Sequence, residues 1–343
     1  MINYLFFSLF FHKNLTSLYY SIAMSVFDLN RVTSRFFSGE SRNIPGVRGI
    51  IASEKIESGE IVIRIAKTDM MNKANVFEED SDLMYLHDNK SLSSNAILAL
   101  ALMNESKKTS SKWAMYIHSL PLPSDMSSHA LTHSSEAMRA FVHSPIMCRS
   151  IHPNYPTYVE TFNHECAELL KNKSIMMKVG NLTPLQFKES FKYYRLLSGS
   201  RSFSTPFGAS LVPIADLLNH SDTKNINWYF NETEQTFDMC ANRVIFEGEE
   251  LTDSYGKNLS NNRRFVHYMH SIPDNKFDSV NLKINNTVHL FFYGDTLPDD
   301  GDVKRIEKIT ALQKRLKYPT TPALEKHRDN ILKNAIRILY SLK

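Results

Sequence analysis

Ile214-Ala215-Asp216-Leu217-Leu218-Asn219-His220-Ser221 is the stretch on which the reading of this chain turns. Alone it says little, because a single histidine in an apolar run is ordinarily a satisfied structural residue. Its weight comes from two companions in fixed order. Upstream stands Gly46-Val47-Arg48-Gly49-Ile50-Ile51-Ala52, and downstream Gly248-Glu249-Glu250-Leu251-Thr252-Asp253-Ser254-Tyr255-Gly256. Ser200-Arg201-Ser202-Phe203 lies just before the central stretch.

Working outward, short β-branched and aromatic runs separated by polar turns predict strands near 210–214, 227–230, 237–241 and 244–246. From Gly46 to Ile65 two further β runs flank Glu57-Ser58-Gly59-Glu60, which reads as a hairpin. The middle of the chain is helical. A nearly continuous Ala/Ile/Leu run over 95–103, with Ser94 or Asn95 as cap, predicts a helix buried on most sides. Thr183-Pro184-Leu185-Gln186 has the capping threonine, the proline at the first helical position and the glutamine three residues on that start a helix. Two more helices are expected near 303–316 and from Thr321-Pro322 onward, whereas the polar, His- and Ser-rich 124–160 shows only weak periodicity. The pattern is α+β, with β segments flanking a helical insertion.

Bulk properties exclude several classes. With 343 residues, 42% hydrophobic and 22% charged, the chain is globular and long enough for a large domain with insertions or for two domains. The net charge of +4 is spread without a basic run, so direct nucleic-acid binding is not expected. Cys148, Cys166 and Cys240 form no CxxC pair, which argues against a disulfide framework or cysteine-rich zinc site and for a reducing compartment. The apolar run Tyr4 to Phe11 is far below the ~20 residues that span a bilayer. It reads as an upstream extension before Met24 or as a targeting segment. His164-Glu165-Cys166-Ala167-Glu168 lacks the second histidine of a zincin, and Gly256-Lys257 lacks the upstream glycine of a P-loop.

Taken together, the three ordered segments resemble the motifs of SET-domain protein lysine methyltransferases. The glycine turn, the Asn-His strand that threads the family's pseudoknot and the "GEEL…YG" segment are all represented. The long middle insertion, and the absence of cysteines from 286–343 where histone-type relatives have a zinc-binding segment, make the chain most similar to the Rubisco large-subunit methyltransferase group. The resemblance implies an N-terminal extension over 1–34 and SET-domain parts over 35–70 and 200–285. It implies a helical insertion over 71–199 and a small helical C-terminal lobe over 286–343.

It further implies S-adenosyl-L-methionine as cofactor, a lysine of a non-histone protein as substrate, no metal, no membrane, a monomer, and a cytoplasmic or nuclear location. Tyr255 would be catalytic. Gly46, Arg48, Gly49, Arg201, Asp216, Asn219, His220, Tyr255 and His270 would line the cofactor, and Phe203, Trp228 and Tyr268 the lysine channel. Aromatic walls suit a channel for ammonium and methyl groups, and a dry one pushes lysine toward its reactive neutral form. Phe203 favours lysine over histidine, since histidine-methylating relatives carry a smaller polar residue there. Two positions depart from the pattern: Val47 stands where relatives have the first glycine of G-x-G, with Gly46 beside it, and Met269-His270 replaces a Gly-Phe whose phenylalanine packs on adenine. Those departures imply weaker or pH-dependent cofactor binding, or, as the alternative, a catalytically silent SET fold serving as a protein-binding module.

Overall fold

Seven stretches with alternating or β-branched patterning pair into two small sheets at the heart of the chain, seen in a computed structural model that describes residues 36–40, 48–52, 54–72, 75–76, 85, 92–126, 158–285, 287–298, 301–317 and 322–343. Gly46, Val47 and the Tyr4 to Phe11 run lie outside the described residues, as does most of 124–160. The chain divides into two units, one of 1–120 with 172–257 and one of 121–171 with 258–343.

In the first unit, strands β1 (Phe36–Glu40), β2 (Arg48–Ala52) and β3 (Ile61–Ala66) open the chain. Helices α1 (Ser94–Glu105) and α2 (Ala114–Ser119) follow. Helix α3 (Tyr158–Lys171) belongs to the second unit. The first unit resumes with α4 (Lys173–Lys178), α5 (Pro184–Arg201), and strands β4 (Ser202–Thr205), β5 (Gly208–Leu211), β6 (Asn219–His220), β7 (Ile226–Asn231), β8 (Thr236–Ala241) and β9 (Glu250–Asp253). The sheet orders are β1-β2-β9-β6 and β3-β8-β7, with β4-β5 as a separate hairpin.

The two runs around Glu57-Ser58-Gly59-Glu60 therefore turn, with Gly59 at φ 85°, but do not form a hairpin. Ile50 pairs with Leu251 and Ile61 with Cys240, so the runs join different sheets, each pairing with a partner far along the chain. The run at 244–246 is reduced to one bridge, Ile245 with Ile56. Between the sheets lies an apolar core that includes Ile50, Val62, Ile63, Leu218, Phe237 and Leu251, all nearly inaccessible to water. Helices α1 and α5 pack on each other, and the caps are as local chemistry dictates. Thr183 and Gln186 form a reciprocal capping box, while α1 is capped by Ser93, one residue before the expected caps, its hydroxyl accepting from Ala96 N–H.

In the second unit, α6 (Asn261–Tyr268), the hairpin of β10 (Val280–Ile284) and β11 (Thr287–Phe291), and helices α7 (Asp302–Leu316) and α8 (Pro322–Ser341) share a core of Phe265, Leu282, Leu312, Leu332 and Leu339. The two C-terminal helices fall where the sequence predicts them. No helix among the described residues is long and apolar enough to cross a membrane.

Candidate active site

The central stretch reaches β6 through a strained turn. Ile214 has φ 71° and ψ −47°, and Ala215 N–H donates to Pro213 O at 2.8 Å across it, so Ile214 is the centre of a γ-turn that a β-branched residue rarely adopts. A short 3-10 turn over Ala215–Leu217 follows and delivers Asn219 and His220 into a parallel pairing with Thr252 and Asp253 of β9. Asn225 reinforces β9 as a side-chain substitute for a neighbouring strand. Its Nδ2 donates to Glu250 O at 2.9 Å, and its Oδ1 accepts from Thr252 N–H at 2.8 Å.

This pairing sets Tyr255 against the earlier strand. The Tyr255 hydroxyl donates to Leu218 O at 2.9 Å, and Tyr255 N–H donates to His220 Nδ1 at 3.0 Å. Accepting at Nδ1 leaves the imidazole proton on Nε2, which lies 3.1 Å from Asp222 Oδ1. The two rings are 5.3 Å apart. His220 thus acts as a clasp on the Tyr255 main chain.

On the other side, β2 brings Gly49 to Asn219 and Glu250. Asn219 Nδ2 donates to Glu250 Oε1 at 2.7 Å. A Cβ at Gly49 would stand 2.5 Å from that carboxylate oxygen and 2.8 Å from Asn219 Nδ2, so only a bare α-carbon fits. Close by in sequence, Arg201 Nη1 donates to Asp216 O at 3.0 Å and to its carboxylate at 3.3 Å, and Tyr116 of α2 donates to the same carboxylate at 2.9 Å. Burial works against the Arg201 charge, yet Asp216, with Tyr116 and Tyr255, outweighs it and raises the guanidinium's pKa. Burial, together with Asp216, pushes the Tyr116 phenol well above its ordinary value. Neither group therefore changes charge near neutral pH.

The aromatic candidates divide. Half-buried Phe203 meets Trp228 edge-on at 5.6 Å, and both rest on fully buried Phe237, while Tyr229 on the opposite strand face is 43% exposed. Tyr268 and His270 belong to the second unit, their rings 6.5 Å apart, with His270 Nε2 3.3 Å from an Arg264 guanidinium nitrogen. Gly49, Arg201, Phe203, Asp216, Asn219, His220, Trp228 and Tyr255 all lie in the first unit, and Arg48 adds its main chain in β2. Tyr116 and Glu250 are polar members that the motifs did not single out. Glu250 stands inside a quoted motif and could have been weighed, whereas nothing in the sequence ties Tyr116 to Asp216.

Comparison with known proteins identifies the family and the fold. The SET domain family model matches residues 47–256. A protein-lysine N-methyltransferase of Saccharomyces cerevisiae is 32% identical over 124 residues, which are 33% of this chain and 20% of that protein. The chloroplastic ribulose-1,5-bisphosphate carboxylase/oxygenase large subunit N-methyltransferase of Nicotiana tabacum is 24% identical over 267 residues, 74% of this chain and 51% of that protein. The chain thus spans from a fifth to about half the length of these curated relatives. A crystal structure of the LSMT SET domain bound to lysine and AdoHcy superposes with a TM-score of 0.69 at 14% identity, covering 95% of this chain and 90% of that one. At this identity the likeness is one of fold.

Proposed function

The chain belongs to the SET-domain family, and from that membership we propose that it is an S-adenosylmethionine-dependent protein lysine N-methyltransferase acting on a non-histone protein. The observation that carries the reading is the convergence of Gly49, Asn219, Glu250 and Tyr255 through the parallel β6–β9 pair. The site's chemistry suits the cofactor. The Asn219 amide and the buried Glu250 carboxylate, packed against the bare α-carbon of Gly49, are polar groups of the kind a charged amino-acid moiety needs, and main-chain groups of Arg48 and Gly49 are assigned to it by resemblance.

When bound, the cofactor supplies an electrophilic methyl group on a sulfonium. Everything else falls to positioning, since a neutral amine needs alignment more than activation. Because the Tyr255 proton is committed to Leu218 O, the lone pairs of its oxygen are what it can turn toward an amine N–H or a polarised methyl C–H. His220 fixes the main chain that carries Tyr255, and the Arg201–Asp216–Tyr116 group holds the 3-10 turn leading into Asn219. Phe203 and Trp228 would wall the lysine's aliphatic stem and ammonium. From the second unit, Tyr268 and His270 are assigned to the lysine channel and the adenine by resemblance.

The rest of the assignment is a protein substrate without direct nucleic-acid contact, a monomeric enzyme and a cytoplasmic or nuclear location. The scattered charge and the sparse cysteines support it. Incubation of purified protein with methyl-labelled S-adenosylmethionine and a matched lysate, followed by acid hydrolysis of the labelled band, tests the reading. Methyllysine is expected. Methylhistidine, or no labelled protein, overturns it.

A further inference from the structure

We propose that a cavity at the end of helix α1 is a binding site for a small organic phosphate, with the phosphoryl group at a rim of lysines and the apolar body on a floor of buried side chains. The inference stands apart from the methyltransferase reading, since none of the lining residues belongs to the Gly49–Asn219–Tyr255 site. The cavity, of about 490 Å3, opens where α1 ends at Glu105 and the chain turns through 106–113 into α2. Helix α4 and the stretch Asn75-Val76 supply the other walls, and all of it lies in the first unit. Its volume is that of a small-molecule pocket.

The floor is apolar for a local reason. Leu100 and Ala101 belong to the α1 run that is buried on most sides, and Ile175 and Val179 stand a turn apart at the end of α4. All four are 3% exposed or less, so a ligand that reaches them is itself shielded from water. The rim, in contrast, is cationic. Lys108, Lys112 and Lys178 stand against one carboxylate on the lining, that of Glu105, and its oxygens are already engaged. Lys108 pairs with Oε1, and the Ser111 hydroxyl donates to Oε2 at 2.6 Å. Lys112 is held by uncharged partners instead: its Nζ donates to Thr68 O at 2.7 Å and lies 4.4 Å from the centre of the Trp113 ring. An ammonium has three donors, and a single carbonyl uses one of them. The ring beneath is fixed in turn, because Trp113 Nε1–H donates to Asp69 O at 2.9 Å. Positive charge therefore exceeds negative at the mouth of an apolar hollow.

That arrangement selects a class of ligand. Among the described residues of the lining there is no arginine, whose planar fork matches a carboxylate, whereas lysine ammoniums act as point charges suited to compact phosphoryl oxygens. Ser110 and Asn104 add neutral donors on the same lining. Bare phosphate would leave the floor uncovered, so the ligand needs a hydrocarbon body that buries against Leu100, Ala101, Ile175 and Val179.

The test titrates the full chain with 1-naphthyl phosphate by calorimetry, at about 0.15 M salt to screen the scattered surface charge. Inorganic phosphate lacks the apolar body, and 1-naphthoate puts a planar carboxylate in place of the phosphoryl group. The naphthyl phosphate is expected to bind with a Kd below about 1 mM, and the other two at least about tenfold more weakly. Lys112→Met keeps a stem of similar length and drops the charge, and should weaken naphthyl phosphate about tenfold. Should that variant fail to fold, Ser110→Asp at an exposed position sets a carboxylate on the rim and is expected to cause a loss of the same size. Absence of binding would mean that the hollow is not a ligand site. Equal binding of inorganic phosphate or of 1-naphthoate would remove the organic phosphate as its ligand, and an affinity untouched by the folded variant would place the binding elsewhere. Each of these results overturns the proposal.

Discussion

On the proposed reading Tyr255 joins two tasks in one side chain, because the hydrogen bond that would aim its oxygen also ties the segment after β9 to Leu218 at the entrance of β6. Tyr255→Phe should therefore lose both, in unequal measure. Removing one oriented group that acts in the transition state costs about a hundredfold in rate. Losing one half-buried neutral hydrogen bond costs only ~1 kcal/mol of stability. Initial rates beside thermal melts should separate the two effects, and a large loss of stability without a selective loss of rate would make Tyr255 a core residue. Gly49→Ala makes a different prediction. Its Cβ must displace Asn219 or Glu250, so cofactor affinity should fall at least about tenfold while the pairing of β2 persists, as read by calorimetry and circular dichroism. At this scale the sequence was legible where residues that meet also stand in contiguous motifs, as with Asn219, His220 and Tyr255, which the β6–β9 pairing brings together. It was silent on Tyr116, whose partner Asp216 lies 100 residues away with no periodicity linking them.

Elements show where local rules decide and where they do not. The capping box of α5 was readable because Thr183 and Gln186 satisfy each other within one turn. Strand pairing was not, because a β run announces its pattern but not its partner: β2 and β3 adjoin in sequence and part company in space. The departure at Met269-His270 also takes on a physical meaning. Met269 caps α6 with φ 59°, in the left-handed region where a glycine carries no steric penalty. Met269→Gly should relieve roughly 1 kcal/mol there, partly offset by a floppier unfolded chain. The expected result is a melting temperature unchanged or higher by a degree or two; a clear drop would show that the methionine side chain contributes more packing than its backbone costs. Ile214 is the opposite case, since a γ-turn of this hand, worth roughly 1–3 kcal/mol of strain, persists only because Val212, Ala215 and Leu218 around it are buried.

For the molecule as a whole, acid stability should carry the mark of His327. Burial, with a smaller contribution from Lys326, lowers its pKa from 6.5 to about 4, and its Nδ1 lies 2.9 Å from Ser271 Oγ while its ring meets Phe265 at 5.0 Å. Between these values the unfolded chain holds a proton that the native state does not, so stability is complete above pH 6.5, declines as pH falls toward 4, and loses nothing more from this group below that. The full effect is on the order of 2–3 kcal/mol once partial exposure is allowed for. Buried Asp278, whose pKa burial raises, works in the contrary sense at low pH, so the measurement is the difference between wild type and His327→Gln in urea melts from pH 7 to 4. The two curves should converge as pH falls; parallel curves would remove His327 from the account. The pairing of β2 with β9 has a last consequence, which concerns synthesis. Ile50 meets Leu251 about 200 residues later, and at ~5–20 residues per second a ribosome needs on the order of 10–40 s to supply the second strand. Throughout that time the nascent Ile50-Ile51-Ala52 edge waits with half its hydrogen bonds unmade. On the proposed reading, a site built on such a late closure cannot hold a methyl donor until β9 has been made, and until then the unpaired edge of β2 is open to wrong partners.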